Sequence, residues 1–157
     1  MPLSLAPVPA GPPPITLDDS QWPVLVVKLG RDATEQAFEE YLAAREAYLA
    51  RCQPHVVVID TRALHLPSPR LRQRYSDWLS QHARALSQWT LGSAYIINSP
   101  AVRMMMSVIR HCARLATPFV VTETLPPSAA WAAERLHEAG LLQAATRLRT
   151  HYAVPSS

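Results

Sequence analysis

Four consecutive β-branched residues, Val56-Val57-Val58-Ile59, run directly into Asp60. A strand on a solvated sheet alternates apolar and polar side chains, whereas an unbroken run presents apolar groups to both faces. This segment therefore has to be covered on both sides, which is the usual condition of a strand in a parallel sheet. It also fixes where function should be sought. Ligands of open α/β sheets bind beyond the carboxyl ends of the strands. Here that end leads through residues 61–67 into Pro67-Ser68-Pro69, with Ser68 placed to cap a helix and Pro69 to occupy its first position.

The rest of the chain falls into order around this strand. Residues 1–14 include Pro2, Pro7, Pro9, Pro12, Pro13 and Pro14, which points to a disordered leader with one minimal PxxP match. Residues 15–18 read as a short edge strand, turned by Gln21-Trp22-Pro23 into the stronger strand 24–29. Asp32 and Glu35 have the spacing of a capping box ahead of a helix. Phe38, Tyr41, Leu42, Arg45, Tyr48, Leu49 and Cys52 follow helical spacing there, Arg45 offering only its aliphatic stem. After the 56–60 strand, a second helix is expected from Ser68 to Trp89. A strand at 91–97, a third helix from Ser99-Pro100 to Leu115, a strand at 118–122 and a fourth helix closed by Gly140 follow. Residues 141–148 suggest a further short helix, and residues 151–157 a flexible tail.

One helix between each pair of later strands predicts a single α/β domain over residues 15–150. Its sheet is mostly parallel, with about five strands, an opening antiparallel hairpin and four main helices. This order resembles the STAS fold, the sulfate-transporter and anti-sigma-factor-antagonist family with its SpoIIAA-like relatives, over roughly residues 15–140. A local match supports it: a buried strand ending in Asp60, a short loop, and a serine heading the next helix. In that family a partner kinase phosphorylates the serine of an Asp-Ser-Ser-Gly motif. Ser68 falls near that position, within Pro67-Ser68-Pro69-Arg70. The resemblance implies a non-enzymatic, cytoplasmic protein-interaction module. Ser68 itself is expected to act chiefly as a cap.

Several chemistries lack their residues. A receiver-type phospho-acceptor site at Asp60 needs an acidic pair after the first strand to hold magnesium, and Lys28-Leu29-Gly30-Arg31 stands there instead. Asp60, His65 and Ser68 have the residue types of a nucleophilic triad but no Gly-x-Ser-x-Gly elbow. Cys52 with His55, or His111 with Cys112, could contribute ligands to a metal, yet no second pair completes a site. The two cysteines read as reduced, buried thiols. Four glycines leave no phosphate-binding loop, and no DNA- or RNA-binding pattern or membrane-spanning run is evident. No catalytic residue, metal or cofactor is assigned.

Charge is distributed unevenly. Residues 14–60 carry four basic and eight acidic side chains, a net −4, whereas residues 61–114 carry eight arginines against Asp77, a net +7. Arg70, Arg72 and Arg74 crowd the start of the second helix, whose free amides already favour an anion. His65, Ser68 and Arg70 are the candidate anion ligands. The third helix has a polar line of Arg103, Ser107, Arg110 and Arg114 and an unusually wide apolar arc. That arc is either core or, along Met104, Val108 and His111, a contact for a partner or a second copy.

The expected contact surface for a protein partner, acidic in character, therefore comprises Ser68, Arg70, Arg72, Arg74, Arg103, Met104, Ser107, Val108 and Arg110. Arg72 and Arg110 are expected to face solvent. The competing reading is a small-molecule or anion binder, enzymatic or not, built on Asp60, His65, Ser68 and Arg70. A deep pocket at the junction would favour that competitor, and a flat, arginine-rimmed apolar face the module.

Overall fold

A computed structural model describes residues 14–31 and 33–154. The expectations for residues 1–13, Asp32 and residues 155–157 lie outside it. Five strands form one sheet in sequential order: β1 (Ile15–Gln21), β2 (Val24–Leu29), β3 (His55–Asp60), β4 (Thr90–Ile96) and β5 (Phe119–Thr122). β1 and β2 are antiparallel, and every later pair is parallel.

Sequential order decides where the helices go. Each parallel step moves one strand further in the same direction, and a right-handed crossover then puts each connecting helix on the same face. α1 (Glu35–Ala50), α2 (Pro69–Gln81), α3 (Ala83–Trp89) and α4 (Pro100–Ala113) make these crossovers. The register carries a row Leu17, Val27, Ile59, Tyr95, Val121 across the sheet. All five pack in the core beneath α1–α4, with Tyr41, Leu42, Trp78 and Ile109. The alternate side chains Val24, Val26, Val56, Val58, Ala94 and Ile96 need a second cover. α5 (Leu125–Glu138) and α6 (Leu142–His151) provide it through Ala132, Ala133, Leu136, Ala145 and Leu148. All six residues of β3 are buried, as its sequence requires.

The described residues form six helices, where four main helices and one short one were expected. The second helix breaks at His82, whose φ of −105° and ψ of 13° leave the helical region and divide it into α2 and α3. The His82 ring packs at 4.7 Å from the Trp78 ring, and both side chains meet Glu46 of α1. Thr34 caps α1, its hydroxyl accepting from the amide of Ala37 at 3.1 Å. α6 continues to His151, and Tyr152 packs against the second core, so the chain stays ordered into the expected tail. Pro14 likewise joins the fold, its carbonyl accepting from the amide of Gly30. Gly140 ends α5 at a φ of +83°, a backbone conformation open to glycine.

Three expectations about side chains fail. Cys52 and Cys112 are free but exposed. Arg110 does not face solvent. It is 8% exposed, donating to the Tyr95 hydroxyl at 2.9 Å and the Thr117 carbonyl at 2.8 Å. Arg45 is buried as well, guanidinium included, and donates to the Tyr41 hydroxyl at 2.8 Å. Both arginines spend their charge inside the layer between helices and sheet, where tyrosine hydroxyls and aromatic faces stand in for water.

Candidate functional site

The carboxyl ends of β2 and β3 open into a cleft of about 400 Å³ between α1, α2, α4 and the 61–68 loop. Local chemistry holds its frame. Thr61 ties the loop to β4, its amide and hydroxyl both donating to the Ile96 carbonyl, at 3.0 and 2.8 Å. The Ser68 hydroxyl accepts from the amide of Leu71 at 3.3 Å and Pro69 starts α2, as their sequence predicts.

The interior of the cleft is apolar. Ile59 lies at its base, Phe38 and Tyr41 come from α1, Leu71 and Tyr75 from α2, and Met105, Met106 and Ile109 from α4. Ile15 and Leu29 of the opening hairpin close the remaining side. Besides the tyrosine hydroxyls, its polar side chains are Arg31, Glu35, His65, Ser68 and Arg72. A concave, largely apolar site with a few convergent polar groups is the ordinary form of a small-molecule pocket.

The expected site residues separate into distinct environments. His65, Ser68 and Arg72 meet at the cleft. Arg70 turns outward, 83% exposed in its side chain, and pairs loosely with Glu35 at 3.5 Å. Arg74 makes a two-pronged contact with Glu39 at 2.8 and 2.9 Å, which pulls that carboxyl below its usual range. Arg103 and Ser107 lie on the side of α4 nearer Asn98 and Glu123. Met104 and Val108 are 67% and 52% exposed, beside a shallow groove of about 800 Å³ between α2 and α4. The apolar arc of α4 thus divides: Val102, Met105, Met106, Ile109 and Ala113 are core, and the Met104–Val108 edge is surface.

Asp60 stands apart from His65 and Ser68. Its carboxylate accepts from the amide of Arg62 at 3.0 Å and from the Arg62 guanidinium at 3.0 and 2.8 Å. Burial pushes its pKa up, but the Arg62 hydrogen bonds outweigh burial and leave it lowered. Among the described residues no hydrogen bond links Asp60, His65 and Ser68. The Ser68 oxygen is occupied as a cap, so these residues do not form a nucleophilic triad. Among the described residues no three His, Cys, Asp or Glu side chains gather to hold a metal ion, and no helix is long and apolar enough to cross a membrane.

Arg31 and the apolar lining of the cleft were not singled out by the sequence reading. Arg31 had a usable signal, since it follows β2 as His65 follows β3, at the same edge of the sheet. Comparison of the chain with family models, with curated proteins and with solved structures gave no match.

Proposed function

We propose that this is a binding domain of STAS type whose cleft at the β3–α2 junction receives a small apolar or amphipathic molecule. One observation carries the reading: the loop at the sheet's carboxyl edge encloses an apolar cleft, where a purely structural junction would be packed shut. Binding without chemistry is favoured, because Ser68 is engaged as a cap and Asp60 is neutralised by Arg62.

The neutral, environment-sensitive dye Nile red tests this. The wild-type chain should brighten and blue-shift it, and Leu71→Trp, which fills the cleft, should suppress that signal while the thermal midpoint is retained. A wild-type chain that leaves the dye unchanged, or a filled variant that binds it equally well, would remove the cleft from the account.

A second reading has its own observation. The exposed Met104 and Val108 edge supports contact with a protein partner or a second copy across the α2–α4 groove. That surface is less positive than the sequence implied, because Arg110 is buried and Arg70 and Arg74 are paired with glutamates of α1. Replacing Met104 and Val108 together by serine should abolish any such association without disturbing dye binding in the cleft.

A further inference from the structure

We infer that the cleft's ligand is a single-chain amphiphile with a carboxylate head, its tail among the apolar side chains and its head at Arg72. This rests on the small-molecule reading above and adds the chemistry of the ligand. Three arginines follow one another along the first turns of α2, and two of them already hold an acid. Arg70 has Glu35, and Arg74 has Glu39. The side chain of Arg72, the one that lines the cleft, has no ion pair or hydrogen bond among the described residues. Its Nε is sealed from solvent without a partner, which leaves the guanidinium short of an acceptor.

The surroundings favour an anion over a cation or a neutral head. Arg31 and His65 share the mouth with Arg72, and the acid there, Glu35, is already paired with Arg70. The amino end of α2 opens at the same place and adds its positive pole. A guanidinium presents a planar fork of donors that a carboxylate matches with two parallel hydrogen bonds. Behind this polar rim the lining is hydrocarbon and aromatic, which suits a methylene chain and offers little to a polar or branched polyol. A volume of about 400 Å³ is near the lower end for small-molecule sites, which favours a tail of medium length.

The test titrates the purified chain with decanoate, decanol and decylamine, each kept below its aggregation threshold, and follows heat or amide shifts. Decanoate should bind at least about tenfold more tightly than decanol, as expected for a charge-assisted pair at a partly desolvated site, and decylamine more weakly still. Its affinity should fall as salt is raised. Arg72→Gln, with an unchanged thermal midpoint, should erase the preference for decanoate and leave decanol binding as it was. Amide shifts should cluster at Phe38, Ile59 and Leu71. Equal binding of decanoate and decanol, or an Arg72→Gln chain that keeps the preference, would overturn the anionic head and leave the cleft reading standing. Failure of all three compounds, together with failure of Nile red, would overturn both.

Discussion

The guanidinium of Arg110 lies 4.0 Å from the centre of the Phe119 ring, joining α4 to the edge strand β5 from inside the fold. The same group donates to the Tyr95 hydroxyl and the Thr117 carbonyl, so it ties α4 to two strands and to the segment that leads from α4 into β5. Its sequence neighbours gave it the look of one step in a surface stripe. Only the position of β5 decides otherwise.

Arg110 should therefore behave as a core residue. Arg110→Ala leaves a void, an unpaired carbonyl and an unpaired hydroxyl, and should cost about 2–4 kcal/mol. Arg110→Lys should recover only part of this, because an ammonium on a flexible stem cannot reproduce the forked contact and the stacking. Arg70→Ala, by contrast, should change stability by less than about 0.5 kcal/mol. Urea denaturation of the three variants checks the ranking. An Arg110→Ala chain as stable as Arg70→Ala would show that the buried contacts contribute little.

The sheet and its helix starts could be read from the chain because their determinants are local. The β2 segment, the continuous apolar run of β3, and the Ser-Pro starts at Ser68 and Ser99 each carry their signal within a few residues. The break at His82 could not be read, since it depends on Glu46 and Trp78 meeting the imidazole from other turns. Nor could the fate of the arginines. Arg45, Arg72, Arg74 and Arg110 occupy similar helical patterns, yet one is paired, one borders a cleft and two are buried among aromatic rings. The cleft has no linear signature, because its lining comes from three helices, three strands and the 61–68 loop.

His55 should make the fold sensitive to mild acid. It is fully buried at the start of β3 and stacks at 5.0 Å on Trp22, its Nδ1–H donating to the Gln53 carbonyl at 2.8 Å. Burial above all, with Arg45 and Arg51 adding to it, lowers its pKa against the opposing pull of that hydrogen bond. The unfolded chain then takes up a proton at the ordinary histidine value, about 6.5, while the folded chain still resists. Stability is accordingly full above that value and falls between it and the lower folded value. His55→Phe should flatten this part of the profile, as read from denaturation midpoints across the range. An unchanged slope would place the acid sensitivity elsewhere.

Ser68 should respond as a cap. Ser68→Ala removes the acceptor for the Leu71 amide and should cost about 0.5–2 kcal/mol, while Ser68→Asp should be near neutral because aspartate caps as well as serine. Because Ser68 borders the cleft, Ser68→Asp should also weaken binding of an anionic ligand there. Equal loss of stability in both variants would mean that the hydroxyl serves another purpose than capping.

Gly92 and Trp131 should be energetically coupled. A Cβ built on Gly92, in the middle of β4, would overlap the outer edge of the Trp131 ring of α5 and stand 3.3 Å from the Pro118 carbonyl oxygen. The indole is stiff, and the Arg135 guanidinium lies 5.3 Å from its centre. Gly92→Ala should consequently cost about 1–3 kcal/mol through overpacking, despite the better strand propensity of alanine. Trp131→Leu alone loses apolar burial and should also destabilise the chain. In that background the collision is gone, and Gly92→Ala should become nearly neutral. The cycle should return a coupling of about 1 kcal/mol or more, with the double variant more stable than the sum of the single changes. Strict additivity would show that the ring moves aside at no cost.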